Sequence, residues 1–355
     1  MAASPSSSAR WGFIYFHPTH TAASLSFDTI FIQDNNETTI DLRASIIHGL
    51  QRDPPELPSV IMWDAAGLSH YEALCHHPAY YLRRAEVEIL SQHAACVAQT
   101  IPAHAVIIEL GCGSLTKTGL LLSALAAQGK PIAYYALDLV ASTLAASLRS
   151  LCTAFPAEGP VQVAGLLGSY EDCLGWIPEL CGIRGTGGDI VGDGPAAATP
   201  PSIHFLWMGN TIANMELVKA ASLLASFRQA CAAVPCAFVV GVDGCRDEER
   251  LAAAYDMSQG PFYAFMRNGL VTANRLLGAE VFEPDLWLVQ GSFDAKTKMM
   301  RFGHQTDESV TGTWIQQLVS GKWTANDVQE VADLAGFVLS KIWADEAGSY
   351  GKSSQ

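Results

Sequence analysis

The sequence predicts an α/β protein built on a doubly wound, Rossmann-like parallel sheet, with a second, smaller α+β domain. Short apolar runs alternate with helical patterns through the middle of the chain, and a glycine-rich turn follows the first run. The 355 residues are 49% apolar and only 16% charged, against a usual charged share of about 25%. This composition supplies a large buried core and excludes a disordered or fibrous chain.

The predicted strands follow one another at intervals that fit one helix each. They cover residues 106–110, 132–137, 161–167, 203–208 and 236–242. Helical patterns cover residues 117–128, 143–155 and 215–234. Strands separated by helices of this length form parallel units with right-handed crossovers. A loop rich in Gly, Pro, Ala and Asp, residues 184–202, is predicted before the fourth strand.

The segments that do not fit this alternation predict the division into domains. The Rossmann-like domain comprises residues 82–246 and 323–355, and its last helix and strand are expected at residues 328–334 and 337–343. The second domain comprises residues 11–81 and 247–322 and is expected to cover the mouth of the sheet. Residues 1–10 are small and rich in Ser, which predicts a flexible tail and not a signal peptide.

Charge and cysteine usage limit the partners and the compartment. The net charge of −14 repels phosphate backbones and anionic lipids, so we expect neither a nucleic-acid nor a membrane partner. No apolar run approaches the roughly 18 residues that span a bilayer. Nine cysteines without a Cys-x-x-Cys pair are typical of a reduced, cytoplasmic protein, which we expect to be a monomer.

The loop after the first predicted strand indicates a nucleoside ligand. Gly111 and Gly113 allow close approach of a ligand to the backbone at the start of a helix. Thr116 stands where a dinucleotide fingerprint has its third glycine, and the phosphate-loop pattern is absent as well. Glu109 precedes the loop, and Asp138 ends the second strand, where a carboxylate accepts hydrogen bonds from ribose hydroxyls. An adenosine ligand without phosphates, S-adenosylmethionine, fits this pattern.

Several separated motifs carry a resemblance to a known family. They are Trp63-Asp64-Ala65-Ala66-Gly67, Ala79-Tyr80-Tyr81 with Arg84-Ala85-Glu86, Glu109-Leu110-Gly111-Cys112-Gly113 with Lys117, Tyr134 to Leu139, Leu206 to Asn214, Ala254-Tyr255-Asp256, Asn274-Arg275 and Leu318 to Trp323. The chain resembles the histidine-specific, S-adenosylmethionine-dependent methyltransferases of ergothioneine biosynthesis. It also resembles their fungal relatives in secondary metabolism, which methylate the α-amine of tryptophan or of dimethylallyltryptophan.

The resemblance implies roles for matching residues. The residues implied to bind the cofactor are Trp63, Gly111, Gly113, Lys117, Asp138, Ser169 and Tyr170. Ser169 stands where the family usually has aspartate, and Trp63 where it often has tyrosine. The residues implied to bind the amino acid are Tyr80, Gly209, Asn214, Tyr255, Leu318 and Ser320, of which Tyr80 and Asn214 orient the reacting amine. Without the resemblance, Tyr80 and Tyr255 would be interpreted as ordinary core packing, and Asn214 as the cap of a helix.

Leu318 decides the predicted substrate. Histidine-specific members carry a glutamate immediately before a Val-Ser pair, and it binds the imidazole. Here Leu318 precedes Val319-Ser320, and leucine packs against an indole but cannot bond an imidazole N–H. We therefore expect a tryptophan N-methyltransferase that transfers more than one methyl. Histidine or dimethylallyltryptophan as substrate, a binding protein without activity and a nicotinamide dehydrogenase stay open as alternatives.

Two other groups of residues carry weaker signals. His70, His76 and His77 with Cys75 match no standard zinc spacing, so no metal is expected. Cys112 in the glycine loop has no evident histidine partner and is interpreted as a small packing residue.

Overall fold

A computed structural model describes residues 11–16, 30–32, 41–113, 116–156, 158–182, 200–232, 234–306 and 312–345. The tail of residues 1–10 and most of the loop predicted at 184–202 lie outside these residues.

The described strands and helices alternate through the middle of the chain. The strands are β1 Trp11–Phe16, β2 Ile30–Phe31, β3 Val106–Leu110, β4 Ile132–Asp138, β5 Val161–Leu167, β6 Ile203–Trp207, β7 Cys236–Asp243, β8 Trp287–Asp294, β9 Met299–Thr306, β10 Trp314–Gly321 and β11 Leu339–Ala344. The helices are α1 Leu42–Leu50, α2 Ala65–His76, α3 Tyr81–Thr100, α4 Thr116–Ala127, α5 Ala141–Ala154, α6 Tyr170–Leu180, α7 Leu217–Cys231, α8 Glu248–Ala254, α9 Gly260–Leu277 and α10 Ala325–Ala335. Short 3₁₀ turns cover Ser59–Trp63, Thr211–Ala213 and Pro284–Leu286.

Eight strands form the large sheet in the order β11-β1-β7-β6-β3-β4-β5-β2. The strands from β7 to β2 run parallel, and β1 pairs antiparallel with both β7 and β11. This topology confirms the α/β class with a Rossmann-like sheet. The strands predicted at residues 106–110 and 161–167 coincide with β3 and β5.

The edges of the sheet correct the predicted domains. Residues 11–16 and 30–31 were assigned to the second domain, but β1 inserts between β7 and β11, and β2 pairs with β5. The physical reason is that the open edges next to β7 and β5 present unpaired backbone groups, which these segments satisfy. The rest of the predicted division stays a prediction.

Both faces of the large sheet are covered, so its central strands are apolar on both sides. Along β3, Ile107 packs into one core cluster while Val106 and Ile108 pack into the other. Helices α3, α4 and α5 lie on the first face, and α6, α7 and α10 on the second. Buried parallel sheets of this kind lack the apolar–polar alternation of a half-exposed sheet.

A smaller antiparallel sheet, in the order β10-β9-β8, forms a separate layer. Helix α9 packs on α1, α2 and the turn Ser59–Trp63, and it also contacts β8. A third apolar cluster that includes Ile46, Leu270 and Ile315 joins these elements. The end of β10 lies beside the carboxyl ends of β6 and β7, where Asn210 contacts Ser320 and Asp243 contacts Lys322.

None of the helices in the described part of the chain is both long enough and apolar enough to cross a membrane.

Candidate active site

The glycine loop lies at the carboxyl end of β3. Gly111 and Gly113 both have positive φ, 73° and 46°, a conformation that favours glycine. The amides of Gly111 and Cys112 donate to the carbonyl of Leu137 at 3.1 and 3.0 Å, which binds the loop to the end of β4. Apart from its chain neighbours, no heavy atom of the described residues lies within 4 Å of the position of a Cβ on Gly113. Among the described residues, the backbone at Gly113 therefore has open space beside it.

Asp138 lies at the end of β4 and organises this loop. Its Oδ2 accepts from the amide of Gly113 at 3.3 Å, and its Oδ1 accepts from the amide of Val140 at 3.1 Å. The side chain is half-buried, so it retains an exposed portion at the mouth of the sheet. A carboxylate held in this way is suited to accept hydrogen bonds from a ribose.

Ser169 and Tyr170 begin α6 directly after β5. The Oγ of Ser169 accepts from the amide of Asp172 at 3.1 Å, and the Asp172 carboxylate accepts from the amide of Ser169 at 2.7 Å. This reciprocal capping box fixes the start of the helix. The hydroxyl of Tyr170 accepts from Nε1 of Trp207 at 3.2 Å and lies 3.4 Å from the position of a Cβ on Gly111. Tyr170 therefore adjoins the glycine loop, as a residue beside the adenine would.

Glu109 is a buried carboxyl directly under the loop. Its Oε2 accepts from the hydroxyls of Thr118 and Tyr134 at 2.6 and 2.5 Å. Burial raises the pKa of Glu109 to about 7, although both hydrogen bonds act in the opposite direction. Glu109 is therefore a structural anchor of the loop.

A buried carboxylate connects the predicted cofactor and substrate residues. Glu86 on α3 is 1% exposed and forms an ion pair with Lys117 of α4. Its other oxygen accepts from the amide of Gly209 at 2.6 Å. Gly209 has a φ of 77°, and a Cβ there would lie 3.5 Å from Nζ of Lys117. Glu86 thus holds Lys117 and the turn after β6 in one arrangement.

Tyr80 and Tyr255 come together from distant parts of the sequence. Their ring centroids are 6.0 Å apart with an edge-to-face geometry, and both residues are buried. Burial raises the pKa of both hydroxyls, so both stay protonated at neutral pH. Phe262 and Phe302 extend this group of aromatic rings. Leu318 packs against the same apolar cluster.

A fully buried ion pair lies next to Tyr255. Nζ of Lys322 is 2.9 Å from Oδ2 of Asp243, and both side chains are 0% exposed. The same Nζ donates to the hydroxyl of Tyr255 at 2.9 Å and to Oγ of Ser320 at 3.1 Å. Burial acts to lower the pKa of Lys322, but the charge of Asp243 raises it above its ordinary value. Lys322 therefore stays charged.

Asn210 connects this network to the turn after β6. Its Nδ2 donates to Oγ of Ser320 at 3.1 Å, and its Oδ1 accepts from the amide of Asp243 at 2.8 Å. The residue is buried and has a positive φ of 62°, which asparagine tolerates better than most residues. The turn after β6 is thus joined to β7 and β10.

The structure brings most of the predicted site residues into two connected groups. Gly111, Gly113, Asp138 and Tyr170 form or adjoin the loop. Tyr80 and Tyr255 form the aromatic pair, Ser320 accepts from the same Lys322 ammonium as Tyr255, and Leu318 lies opposite Phe302 in the β10–β9 pair. Lys117 and Gly209 connect the groups through Glu86.

Two further predicted site residues adjoin these groups: Trp63 packs against the apolar cluster that contains Tyr80 and Tyr255, and Asn214 ends the turn after β6. Trp63 packs edge-on against Tyr71 and Phe265, at 4.9 and 5.0 Å between centroids. Asn214 follows the turn Thr211–Ala213 and has an exposed side chain. It does not cap α7, which begins at Leu217 after Glu216. Asn214 is therefore free to contact a ligand at the surface of the turn.

Glu86, Asp243 and Lys322 were missing from the predicted site. The signal for Glu86 was its position on the buried face of α3, four residues after Leu82 and three before Ile89. A carboxylate on a buried stripe requires a partner. Asp243 and Lys322 lie far apart in the sequence, and nothing local shows that they pair.

Metal and thiol chemistry receive no support from the part of the chain that the structure describes. It contains no group of three His, Cys, Asp or Glu side chains able to hold a metal ion. Burial, together with the neighbouring charge of Asp138, raises the pKa of Cys112. This thiol is therefore not an activated nucleophile.

The fold and the site together define a class of enzyme. A Rossmann-like sheet, a glycine loop without a phosphate-binding pattern and a carboxylate after the second central strand are the features of a methyltransferase that uses S-adenosylmethionine. The family model described as "Histidine-specific methyltransferase, SAM-dependent" matches residues 42–354. The chain belongs to this family. The match confirms the resemblance seen in the sequence and also confirms S-adenosylmethionine as the cofactor.

Curated relatives of this chain include enzymes that are named N-methyltransferases. The N-methyltransferase dtpB of Aspergillus flavus is 35% identical over 324 residues, which is 87% of each chain. Ergothioneine biosynthesis protein 1 of Neurospora crassa is 33% identical over 68% of this chain and 25% of its own. The 4-dimethylallyltryptophan N-methyltransferase easF of Epichloe festucae is 32% identical over 62% of this chain and 59% of its own. The chain is thus an S-adenosylmethionine-dependent N-methyltransferase.

The residues of the site fit this cofactor. Asp138 offers acceptors for the ribose, and the open space beside Gly113 admits a ligand against the backbone. Lys117, paired with Glu86, would place a cation beside the carboxylate of the methionine part.

Proposed function

We propose that this enzyme methylates the α-amino group of a free amino acid, L-tryptophan, in successive transfers. The observation that carries this proposal is Leu318. This residue contributes an apolar side chain to the cluster that contains Tyr80 and Tyr255. An apolar wall suits an indole, whereas an imidazole requires a hydrogen-bonding partner for its N–H.

The site also offers polar groups for the zwitterionic end of an amino acid. The hydroxyls of Tyr80 and Tyr255 are protonated and serve as donors. Asn214 has both a donor and an acceptor on its exposed side chain. We assign the binding of the carboxylate and the orientation of the amine to these three residues, together with Ser320 and the backbone at Gly209.

The chemistry requires little covalent help from the protein. S-adenosylmethionine supplies an electrophilic sulfonium methyl, the attacking amine is neutral, and S-adenosylhomocysteine leaves. Positioning the nitrogen in line with the methyl at about 3 Å, in a site that excludes water, accounts for most of the rate. Glu86 serves this purpose because it fixes Lys117 and the turn at Gly209 relative to each other. We assign no dedicated base to the protein, and the methylated amine gives its proton to solvent after the transfer.

A panel of substrates tests the proposal. The purified enzyme is incubated with S-adenosylmethionine and each of the twenty amino acids, and with dimethylallyltryptophan, and S-adenosylhomocysteine is quantified. We expect the highest kcat/KM with L-tryptophan. A higher value for histidine or for dimethylallyltryptophan would replace the proposed substrate. Cofactor binding without turnover on any acceptor would indicate a binding protein.

A further inference from the structure

The Asp243–Lys322 pair is too deeply buried to serve solubility, and it lies against the substrate tyrosine. Both side chains are 0% exposed. Buried ion pairs are weak contributors to stability because of the cost of desolvating two charges. Oδ2 of Asp243 also accepts from the hydroxyl of Tyr81 at 2.6 Å, and Oδ1 accepts from the amide of Cys245 at 2.9 Å. The carboxylate is thus fixed by several donors.

Each hydrogen of the Lys322 ammonium has an assigned acceptor. An ammonium has three donors and no acceptor. Its three partners are Oδ2 of Asp243, the hydroxyl of Tyr255 and Oγ of Ser320, at 2.9, 2.9 and 3.1 Å. Tyr255 and Ser320 must therefore both use an oxygen lone pair toward Lys322.

The remaining lone pairs determine where the hydroxyl hydrogens point. Oγ of Ser320 accepts from Lys322 and also from Nδ2 of Asn210 at 3.1 Å, so both of its lone pairs are in use. The hydroxyls of Ser320 and Tyr255 bind the same ammonium. Because both lone pairs of Ser320 are in use, Ser320 cannot accept the hydrogen of Tyr255. The hydrogen of Tyr255 must then be donated elsewhere, and no described side chain accepts it.

We propose that Lys322, held by Asp243, is a positioning residue that turns the Tyr255 hydroxyl into an obligatory donor, so that this subsite selects acceptors with a free carboxylate. The inference rests on the proposed function, in which Tyr255 touches the substrate. A donor aimed at the α-amine would occupy the lone pair that attacks the methyl. The carboxylate is the substrate group that can accept the hydrogen without blocking the reaction.

The negative charge of Asp243 contributes to this selectivity. It compensates the ammonium, so the subsite offers a directed hydrogen bond and no net positive charge. A carboxylate gains more from such a donor than a neutral amide does, because hydrogen bonds to charged groups are about twice as strong.

The test compares L-tryptophan with L-tryptophanamide, which keeps the indole and the α-amine but lacks the charged carboxylate. The value of kcat/KM is measured for both compounds with the wild type and with Tyr255→Phe, Lys322→Met and the double variant. The α-amines of the two compounds differ in basicity, but this difference is the same for every variant at one pH. It therefore does not affect how the ratio of the two kcat/KM values changes from the wild type to a variant. We expect the preference for tryptophan to fall about 10- to 100-fold in each single variant. The double variant should lose no more than either single variant, because Lys322 acts through Tyr255.

Lys322→Met leaves the Asp243 charge buried without a partner, so Lys322→Met/Asp243→Asn is made in parallel and has the same expected ratio. Lys130→Met is the matched control, since Lys130 donates to the carbonyls of Ala98 and Ile101 at the end of α3. This control should keep the wild-type ratio.

Results on Tyr255 or on the ion pair can overturn the proposal, and a separate result can refute the function on which it rests. An unchanged ratio in Tyr255→Phe shows that Tyr255 does not bind the carboxylate. Equal losses on both compounds in the Lys322 variants, or a paired variant that does not fold, assign the ion pair to stability alone. A wild-type enzyme that methylates neither free tryptophan nor any other free amino acid refutes the proposed function itself, which is a separate result.

Discussion

Replacing Asp138 with alanine tests the cofactor site at the residue that organises it. The carboxylate accepts from the amides of Gly113 and Val140, and the ribose hydroxyls are its proposed ligands. Asp138→Ala removes the ribose contact and releases the amide of Gly113 within the loop. Losing one hydrogen bond to a charged group costs about 1.5–3 kcal/mol, which corresponds to a roughly 10- to 150-fold weaker Kd.

The assay is isothermal titration of S-adenosylmethionine into wild type and variant, with thermal melts to verify folding. Asp41→Ala is the matched control, because Asp41 is a carboxylate that accepts from the amide of Ala44 at the start of α1. We expect the control to bind the cofactor with the wild-type Kd. An unchanged Kd in a folded Asp138→Ala protein would show that Asp138 only shapes the turn and that the cofactor site lies elsewhere.

Four further predictions address the substrate, the connecting carboxylate and the anchor of the loop. In steady-state assays, Asn214→Ala should lower kcat/KM for tryptophan at least tenfold, because the amine loses its orientation, while the Kd of the cofactor stays unchanged. Equal losses in kcat/KM and in cofactor affinity would refute the substrate-binding role of Asn214. Leu318→Glu should lower the ratio of kcat/KM for tryptophan over histidine by at least about 100-fold, and a folded variant with the wild-type ratio would place this residue outside the pocket. Glu86→Gln leaves the partly exposed Lys117 without a counter-ion, so urea denaturation should show a free energy of unfolding lower by about 2–3 kcal/mol. Glu88→Gln, at an exposed position on the same helix, is the control and should change it very little. The pKa of Glu109 is about 7 in the folded protein and near 4.5 in the unfolded chain, so the free energy of unfolding falls as pH rises between these values. Glu109→Gln should flatten this pH dependence in thermal melts. An unchanged slope would contradict the prediction.

The central strands were predictable because their signal is local. A run of β-branched and apolar residues such as 106–110, followed by glycine, indicates a buried strand whatever its neighbours are. The partner of a strand is not a local property. Nothing in residues 11–16 shows that they pair with β7 and β11, which lie more than two hundred residues further along the chain. Helix α6 was missed although Ser169 and Asp172 form a capping box, because Pro178 interrupts its pattern.

The same distinction applies to the site. The glycine loop lies within one short segment, and Asp138 marks the end of the next strand, so their relation follows from the rules of parallel sheets. The network of Tyr81, Asp243 and Lys322 combines three segments that only the folded chain brings together. In the sequence these three residues lie far apart, so nothing local shows that they form one network.

The measurement that tests the central claim most directly is the position of the transferred methyl. L-tryptophan labelled with ¹⁵N at the α-amine is incubated with the enzyme and with S-adenosylmethionine labelled with ¹³C in its methyl, and the product is examined by NMR. We predict coupling between the ¹³C methyl and the ¹⁵N α-nitrogen, with further methyls appearing on the same nitrogen as the reaction proceeds. A methyl on the indole ring, or no labelled product while histidine is methylated under the same conditions, would contradict the account.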